Sequence, residues 1–158
     1  MSDILVAYFS ATGATKKAAE AIAKESGGDL FEIEAQQAYT REDLDWTDTD
    51  SRTTKEKNDP SLRPAIRETV KNLAQYKTIF LGFPIWWYRE PNIIHTFLES
   101  GDFTGKKIIL FATSGGSGLE GTAVNCRVSA PGAQFVEGKR VSSSLDAALF
   151  ARKALKGN

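Results

Sequence analysis

Ser10, Thr12, Gly13 and Thr15, within the run Ser10-Ala11-Thr12-Gly13-Ala14-Thr15, are the residues whose types and spacing point most directly to chemistry. Hydroxyls at alternate positions can each donate a hydrogen bond to one oxygen of a phosphate, and Gly13 lets the backbone come close. An alanine-rich stretch follows, with Ala18 and Ile22, and Ala19 and Ala23, at i, i+4 spacing. The run therefore opens a helix whose first N–H groups are unpaired and whose dipole end is positive. Lys16 and Lys17 lie in the first turn, where a cation is mildly unfavourable unless an anion sits nearby. The plainer alternative is a Ser or Thr helix cap with exposed lysines.

Two further stretches carry unusual residues. In "GFPIWWYREP" (82–91), Pro84 and Ile85 lead into Trp86, Trp87 and Tyr88. Three consecutive aromatics at a strand end cannot all enter the core, so at least one is expected to offer its face to a flat ligand. In "TSGGSGLEG" (113–121), Gly116, Gly118 and Gly121 spell GxGxxG after a strand, with Glu137 ending the next. That motif belongs in a first β-α unit, however, and here it falls in the fourth, before a short segment cut off by Pro131. The same stretch imitates a nucleophile elbow around Ser114. A hydrolase of that type needs a histidine after the serine, and the single histidine, His95, precedes it. What remains is a glycine-rich loop, Thr113 to Gly118 with Ser114, Gly115 and Gly116, whose N–H groups could surround the polar edge of a heterocycle. His95, beside Ile93, Ile94 and Phe97, reads as a helix-surface or packing residue. Cys126 reads as a small buried one, since a redox role has no partner cysteine.

The elements that must carry these loops follow from apolar runs: "ILVAYF" (4–9), "LFEIE" (30–34), "TIFLGF" (78–83), "KIILFAT" (107–113) and "AQFVEG" (133–138). Three are almost continuously apolar, as strands buried on both faces must be. "LFEIE" alternates and suits an edge. Helices are expected at about 14–26, 62–75, 91–100, 119–128 and 144–155, the third opening with Pro91, a favoured first helical residue. Strict β-α alternation implies an α/β fold: a parallel sheet covered by helices on both faces. In such a sheet ligands bind beyond the carboxyl ends of the strands, which is where the three loops lie. The segment 35–60 breaks the rhythm, being polar, acidic at its centre and long for a connection. Its Tyr39 and Trp46 suggest that it packs over a ligand or over the sheet edge.

Bulk composition narrows the class. The 158 residues, 41% apolar, suffice for one domain, taken as 1–158. Lys+Arg and Asp+Glu cancel at 20 each, so nothing points to nucleic acid or an anionic membrane surface. A single cysteine excludes an internal disulfide and an all-cysteine metal site. The opening residues lack a signal-peptide pattern and no stretch approaches 18 apolar residues, which gives the expectation of a soluble, cytoplasmic protein.

Taken together, the five β-α units, the Ser10/Thr12/Gly13/Thr15 pattern, the aromatic loop and the glycine loop resemble the flavodoxin family along essentially the whole chain. The resemblance implies a three-layer, doubly wound five-stranded parallel sheet of order 2-1-3-4-5. It also implies FMN as cofactor. Ser10, Ala11, Thr12, Gly13, Ala14 and Thr15 would hold the phosphate, an aromatic of Pro84, Ile85, Trp86, Trp87 and Tyr88 would stack on the isoalloxazine, and Thr113, Ser114, Gly115, Gly116 and Gly118 would form the third flavin-contacting loop. Two departures stand out: the third loop has no aromatic, and the chain is neutral where typical members are strongly acidic. The expected activity is electron transport with a redox partner protein or a small acceptor such as a quinone. An FMN-dependent NAD(P)H:quinone or related reductase, an oxidoreductase proper, is the alternative. A phospho-aspartate signalling module of the same topology would need an aspartate ending strand three, where Phe83-Pro84 stands.

Overall fold

The computed structural model of the chain describes residues 2–113 and 118–156. Its elements run β1 (Ile4–Tyr8), α1 (Ala14–Ser26), β2 (Asp29–Glu32), α2 (Arg52–Asn58), a short 3-10 turn (Leu73–Gln75), β3 (Thr78–Pro84), α3 (Asn92–Glu99), β4 (Lys107–Thr113), α4 (Thr122–Arg127), β5 (Gln134–Arg140) and α5 (Ser144–Lys156). The strands form one parallel sheet in the order β2-β1-β3-β4-β5. Layering and strand order agree with the expectation, and β2 does lie at an edge. No helix among the described residues is long and apolar enough to cross a membrane.

Alternation along the strands divides the apolar residues between two cores. Leu5, Ala7 and Phe9 join Leu81, Phe83, Ile93, Phe97 and Leu110 on the α3–α4 side. Val6 and Tyr8 join Phe80, Ile109, Phe111 and the alanines Ala18, Ala19, Ala147 and Ala151 of α1 and α5 on the other. The α1 and α5 stripes are mostly alanine, so two helices can share that face at close range. Gly82 is required where β3 meets β4, because a Cβ there would run into the Phe111 ring. Cys126, in α4, is 0% exposed, and burial pushes its thiol well above the usual range.

Two expectations are corrected. Residues 62–75 do not form a helix. Pro64 cannot donate a backbone hydrogen bond, and the chain beyond it runs extended: Gln36 N–H donates to Ala65 O (2.8 Å) and Arg67 N–H to Glu34 O (2.9 Å), around an antiparallel Ala35–Ile66 bridge. Pairing with the chain that leaves β2 overrides helix propensity there. The helix falls instead inside the 35–60 segment, as α2. Ser51 caps it, its hydroxyl accepting the Thr54 N–H at 3.3 Å, and Thr53, Thr54 and Glu56 are buried. Of the two aromatics in that segment, Tyr39 packs against the core while Trp46 is 70% exposed.

Candidate functional site

Four strands end side by side at one edge of the sheet. Pro84 of β3 pairs with Thr113 of β4, and Ile85 N–H donates to Thr113 O at 3.0 Å. Phe9 N–H, just past β1, donates to Gly82 O (3.0 Å), and Val141 N–H, just past β5, to Ala112 O (2.8 Å). A cleft of about 610 Å³ opens there. It is lined by Ala11, Thr12 and Ala14 of the first loop, Pro84, Ile85 and Trp86 of the second, and Thr113 of the third.

The first loop owes its shape to backbone geometry. Gly13 takes a left-handed conformation (φ 99°) and stands at the N-cap of α1 without a side-chain cap. The Ser10 hydroxyl oxygen accepts the Gly13 N–H (3.0 Å) and the Lys16 N–H (3.3 Å), so its own proton stays available to donate. Among the described residues nothing accepts from the amides of Ala14 and Thr15. Thr12 is exposed. Thr15, by contrast, is 2% exposed, and its hydroxyl bonds that of Thr113 at 2.7 Å. Thr15 thus ties the first loop to the end of β4.

The aromatic loop is a tight turn closed by two hydrogen bonds: Trp86 N–H donates to Arg89 O (2.9 Å) and Arg89 N–H to Trp86 O (3.2 Å). Its central residues, Trp87 (φ 49°) and Tyr88 (φ 66°), are both left-handed without being glycine, a conformation that costs an L-residue roughly 1–2 kcal/mol. Only Trp86 of the three aromatics lines the cleft. Trp87 turns toward α2, where the Lys57 ammonium stands 5.3 Å from its ring centre, and Tyr88 is 79% exposed at the tip.

One buried carboxylate, Glu90, bonds this turn directly, and a second, Glu56, lies on the α2 side of it. Glu90, 1% exposed, lies 2.6 Å from His95 Nε2, 3.2 Å from Arg89 Nη2 and 3.2 Å from Asn125 Nδ2. Burial alone would raise its pKa; the hydrogen bonds from His95, from a backbone N–H and from Asn125 outweigh it, leaving Glu90 below the usual range. His95 is buried and bridges Glu90 and the Ser129 hydroxyl (2.7 Å), so it faces the interior and not the helix surface. Glu56 of α2 accepts from the Tyr39 hydroxyl and Arg52 Nε, yet burial keeps its pKa raised.

Of the residues expected at a site, the cleft gathers Ala11, Thr12, Ala14, Pro84, Ile85, Trp86 and Thr113. Ser10 faces a neighbouring hollow of about 320 Å³ beside β2. Gly13 and Thr15 shape the first loop without lining the cleft, and Trp87, Tyr88 and Gly118 do not line it. Ser114, Gly115 and Gly116 lie outside the described residues. Glu137, the acidic residue of the GxGxxG pattern, accepts the Ala123 N–H at 3.2 Å. Lys17, marked in the sequence by its first-turn position, lines the cleft; Ala18 and the whole segment Arg140, Val141, Ser142, Ser143 and Ser144 between β5 and α5 line it without having been expected there. The run of three serines opening a helix was the available signal, since it repeats the hydroxyl-rich character of the first loop.

Comparison with known proteins agrees with this geometry. Residues 3–153 match the family model described as Flavodoxin. A protein from Bacteroides eggerthii DSM 20697, solved as a candidate flavoprotein, is 42% identical with a TM-score of 0.89, the match covering 98% of this chain and 96% of that one. A second, from Bacteroides uniformis ATCC 8492, is 41% identical with a TM-score of 0.84, over 94% and 97% of the two chains. At 23% identity and a TM-score of 0.68, the flavoprotein from Lactobacillus acidophilus NCFM solved in complex with FMN shares the fold over 84% of this chain and 89% of its own. No curated protein matches the chain. With a family match over nearly its full length and a β2-β1-β3-β4-β5 sheet whose cleft joins three strand-end loops, the chain belongs to the flavodoxin family.

Proposed function

We propose that the protein binds FMN in the cleft at the strand ends and works as an electron-transfer flavoprotein. The observation that carries this reading is a single cleft lined by Ala11, Thr12 and Ala14 of the first loop, Pro84, Ile85 and Trp86 of the second, and Thr113 at the start of the third. The donor set suits the group. At about 610 Å³ the cleft lies within the range of small-ligand and cofactor sites. The open amides of Ala14 and Thr15, the Ser10 and Thr12 hydroxyls and the Lys17 ammonium suit a phosphate at the N-terminus of α1. Trp86 offers an aromatic wall for a flat ring.

When bound, FMN supplies the redox chemistry. The chain's own residues bind and orient it. Thr12 is the exposed hydroxyl of the phosphate loop, and the Thr15–Thr113 bond fixes the distance between the phosphate end and the ring end. Pro84, Ile85 and Trp86 form an apolar wall that keeps water from one side of the ring. Titrating the apoprotein with FMN tests the reading. Tight binding with the visible bands of bound flavin is expected, with a dissociation constant roughly tenfold higher in Thr12→Ala for the loss of one charge-assisted hydrogen bond. A colourless protein indifferent to FMN would end it.

One observation favours the second reading, an FMN-dependent NAD(P)H:quinone or small-molecule reductase. Tyr39 stands behind Trp86 and Trp46 points to solvent, so neither aromatic of the 35–60 segment covers the cleft. Steady oxidation of NADPH by a quinone without added reductase would favour this alternative over the carrier.

A further inference from the structure

The 35–60 segment builds a support for Trp86 that simple burial does not require. Tyr39 lies 5.5 Å from Trp86 between ring centres, with the planes 63° apart, and Phe9 lies 5.6 Å from Trp86 at 89°. Tyr39 and Phe9 also meet each other, at 5.5 Å and 64°. The three rings form a mutually inclined cluster of the kind aromatic quadrupoles favour. Tyr39 is in turn fixed at two further points. Its hydroxyl donates to both oxygens of Glu56, at 2.8 and 3.0 Å, and the Arg52 guanidinium sits 3.8 Å from its ring centre. Arg52 closes the arrangement, its Nε donating to Glu56 at 3.2 Å and its Nη1 to Gln37 O at 2.7 Å. From the far side Asn92, at the start of α3, donates to the backbone oxygen of Glu56 at 3.0 Å.

A carboxylate buried in a seven-residue helix is a costly way to pin down a surface segment, since an apolar residue of similar volume is often at least as stabilising. A carboxylate facing a phenol does something an apolar pair cannot: it dictates where the hydroxyl points and so how the ring is tilted. The geometry points to Tyr39 and Glu56 as positioning residues that set the plane of Trp86, and through it the grip of the cleft on the flavin ring. This rests on the FMN reading above and gives the long acidic segment a role within it: its far end forms the second layer of the cofactor site.

The test uses Tyr39→Phe, which keeps the ring and removes the hydroxyl, and Glu56→Gln, which keeps the volume and removes the charge; either alone suffices if the other fails to fold. Both are made in the full chain and again in a W46F/W87F background, where Trp86 is the only tryptophan. The expected result is a roughly tenfold rise in the FMN dissociation constant, the scale of one charge-assisted hydrogen bond. It is accompanied by a changed visible circular dichroism of the bound flavin and, in the apoprotein, a weakened near-ultraviolet dichroism of Trp86. Loss of stability alone would not alter the dichroism of protein that remains folded. Unchanged flavin affinity and unchanged dichroism in both variants would overturn the inference. A wild-type chain that does not bind FMN would overturn the functional reading, while the Trp86 signal of the apoprotein would still decide whether Tyr39 and Glu56 orient that ring.

Discussion

The first loop and the aromatic turn face the same cleft and are built on opposite principles. In the first loop the one left-handed position is a glycine, and a Cβ built on Gly13 would meet nothing within 4 Å. The main chain does the shaping, and Ser10 satisfies two of its amides. In the aromatic turn both left-handed positions carry large side chains, and buried carboxylates on either flank, Glu56 and Glu90, hold the surroundings in place. A loop that presents amides to a ligand can be made from backbone alone. A turn that must present one particular ring needs side chains to define it, and tolerates local strain in return.

The contrast can be broken most sharply at Glu90. Glu90→Ala strands Arg89, His95 and Asn125 without their shared acceptor, and a loss of about 3–5 kcal/mol in urea unfolding is expected for three donors at about 1–3 kcal/mol each, partly re-solvated at Arg89. A loss below about 1 kcal/mol would mean that the turn does not lean on that carboxylate. Next comes Thr15→Val, which leaves the Thr113 hydroxyl buried and unpaired. The expected loss is about 1–3 kcal/mol by the same measurement, and wild-type stability would deny that the two loops are joined there. The third comparison reverses sign. Gly13→Ala should destabilise by about 1–2 kcal/mol from backbone conformation alone. Tyr88→Gly should stabilise by less than about 1 kcal/mol, because relief of the left-handed strain is partly offset by glycine's larger unfolded-state entropy. Equal signs would show that the turn is not strained.

The smallest effect is in pH. Glu56 has a raised folded-state pKa, so its contribution falls as pH rises from the unfolded value near 4.5 through the folded value. Glu90 has a lowered one, so its contribution is complete above that unfolded value and is lost as pH falls through the folded value. Denaturant midpoints followed from pH 3 to 7 should therefore decline less on the upper side in Glu56→Gln and less on the acid side in Glu90→Gln. Identical profiles for the two variants would contradict the opposite shifts.

Legibility in the sequence followed chemistry on the surface of each element. The five strands were readable because continuous apolar runs and one alternating run have few other uses. The first loop was readable because hydroxyls and a glycine interrupt a strand-to-helix passage. Helix α2 was not, because its buried face is Thr53, Thr54 and Glu56 and shows no apolar stripe. Residues 62–75 misled in the other direction: Leu62, Ile66 and Val70 sit at helical spacing, but Ile66 pairs with Ala35 across the sheet edge, a partner no local window includes. Beyond its serine run, the Arg140–Ser144 segment was not legible because it holds neither a glycine nor an aromatic to set it apart from an ordinary serine-capped helix start, although β5 finishes at the same edge. Tyr39 was singled out correctly for packing, but its attachment to Glu56 spans 17 positions and depends on a helix that could not be read.

Cys126 gives the molecule a built-in clock. Its thiol is sealed in the α3–α4 core and held protonated, so a thiol-directed reagent can react only in moments when that layer comes apart. Modification in native buffer therefore counts opening events of the half of the protein on which the aromatic turn is mounted, without denaturant and without an added label site.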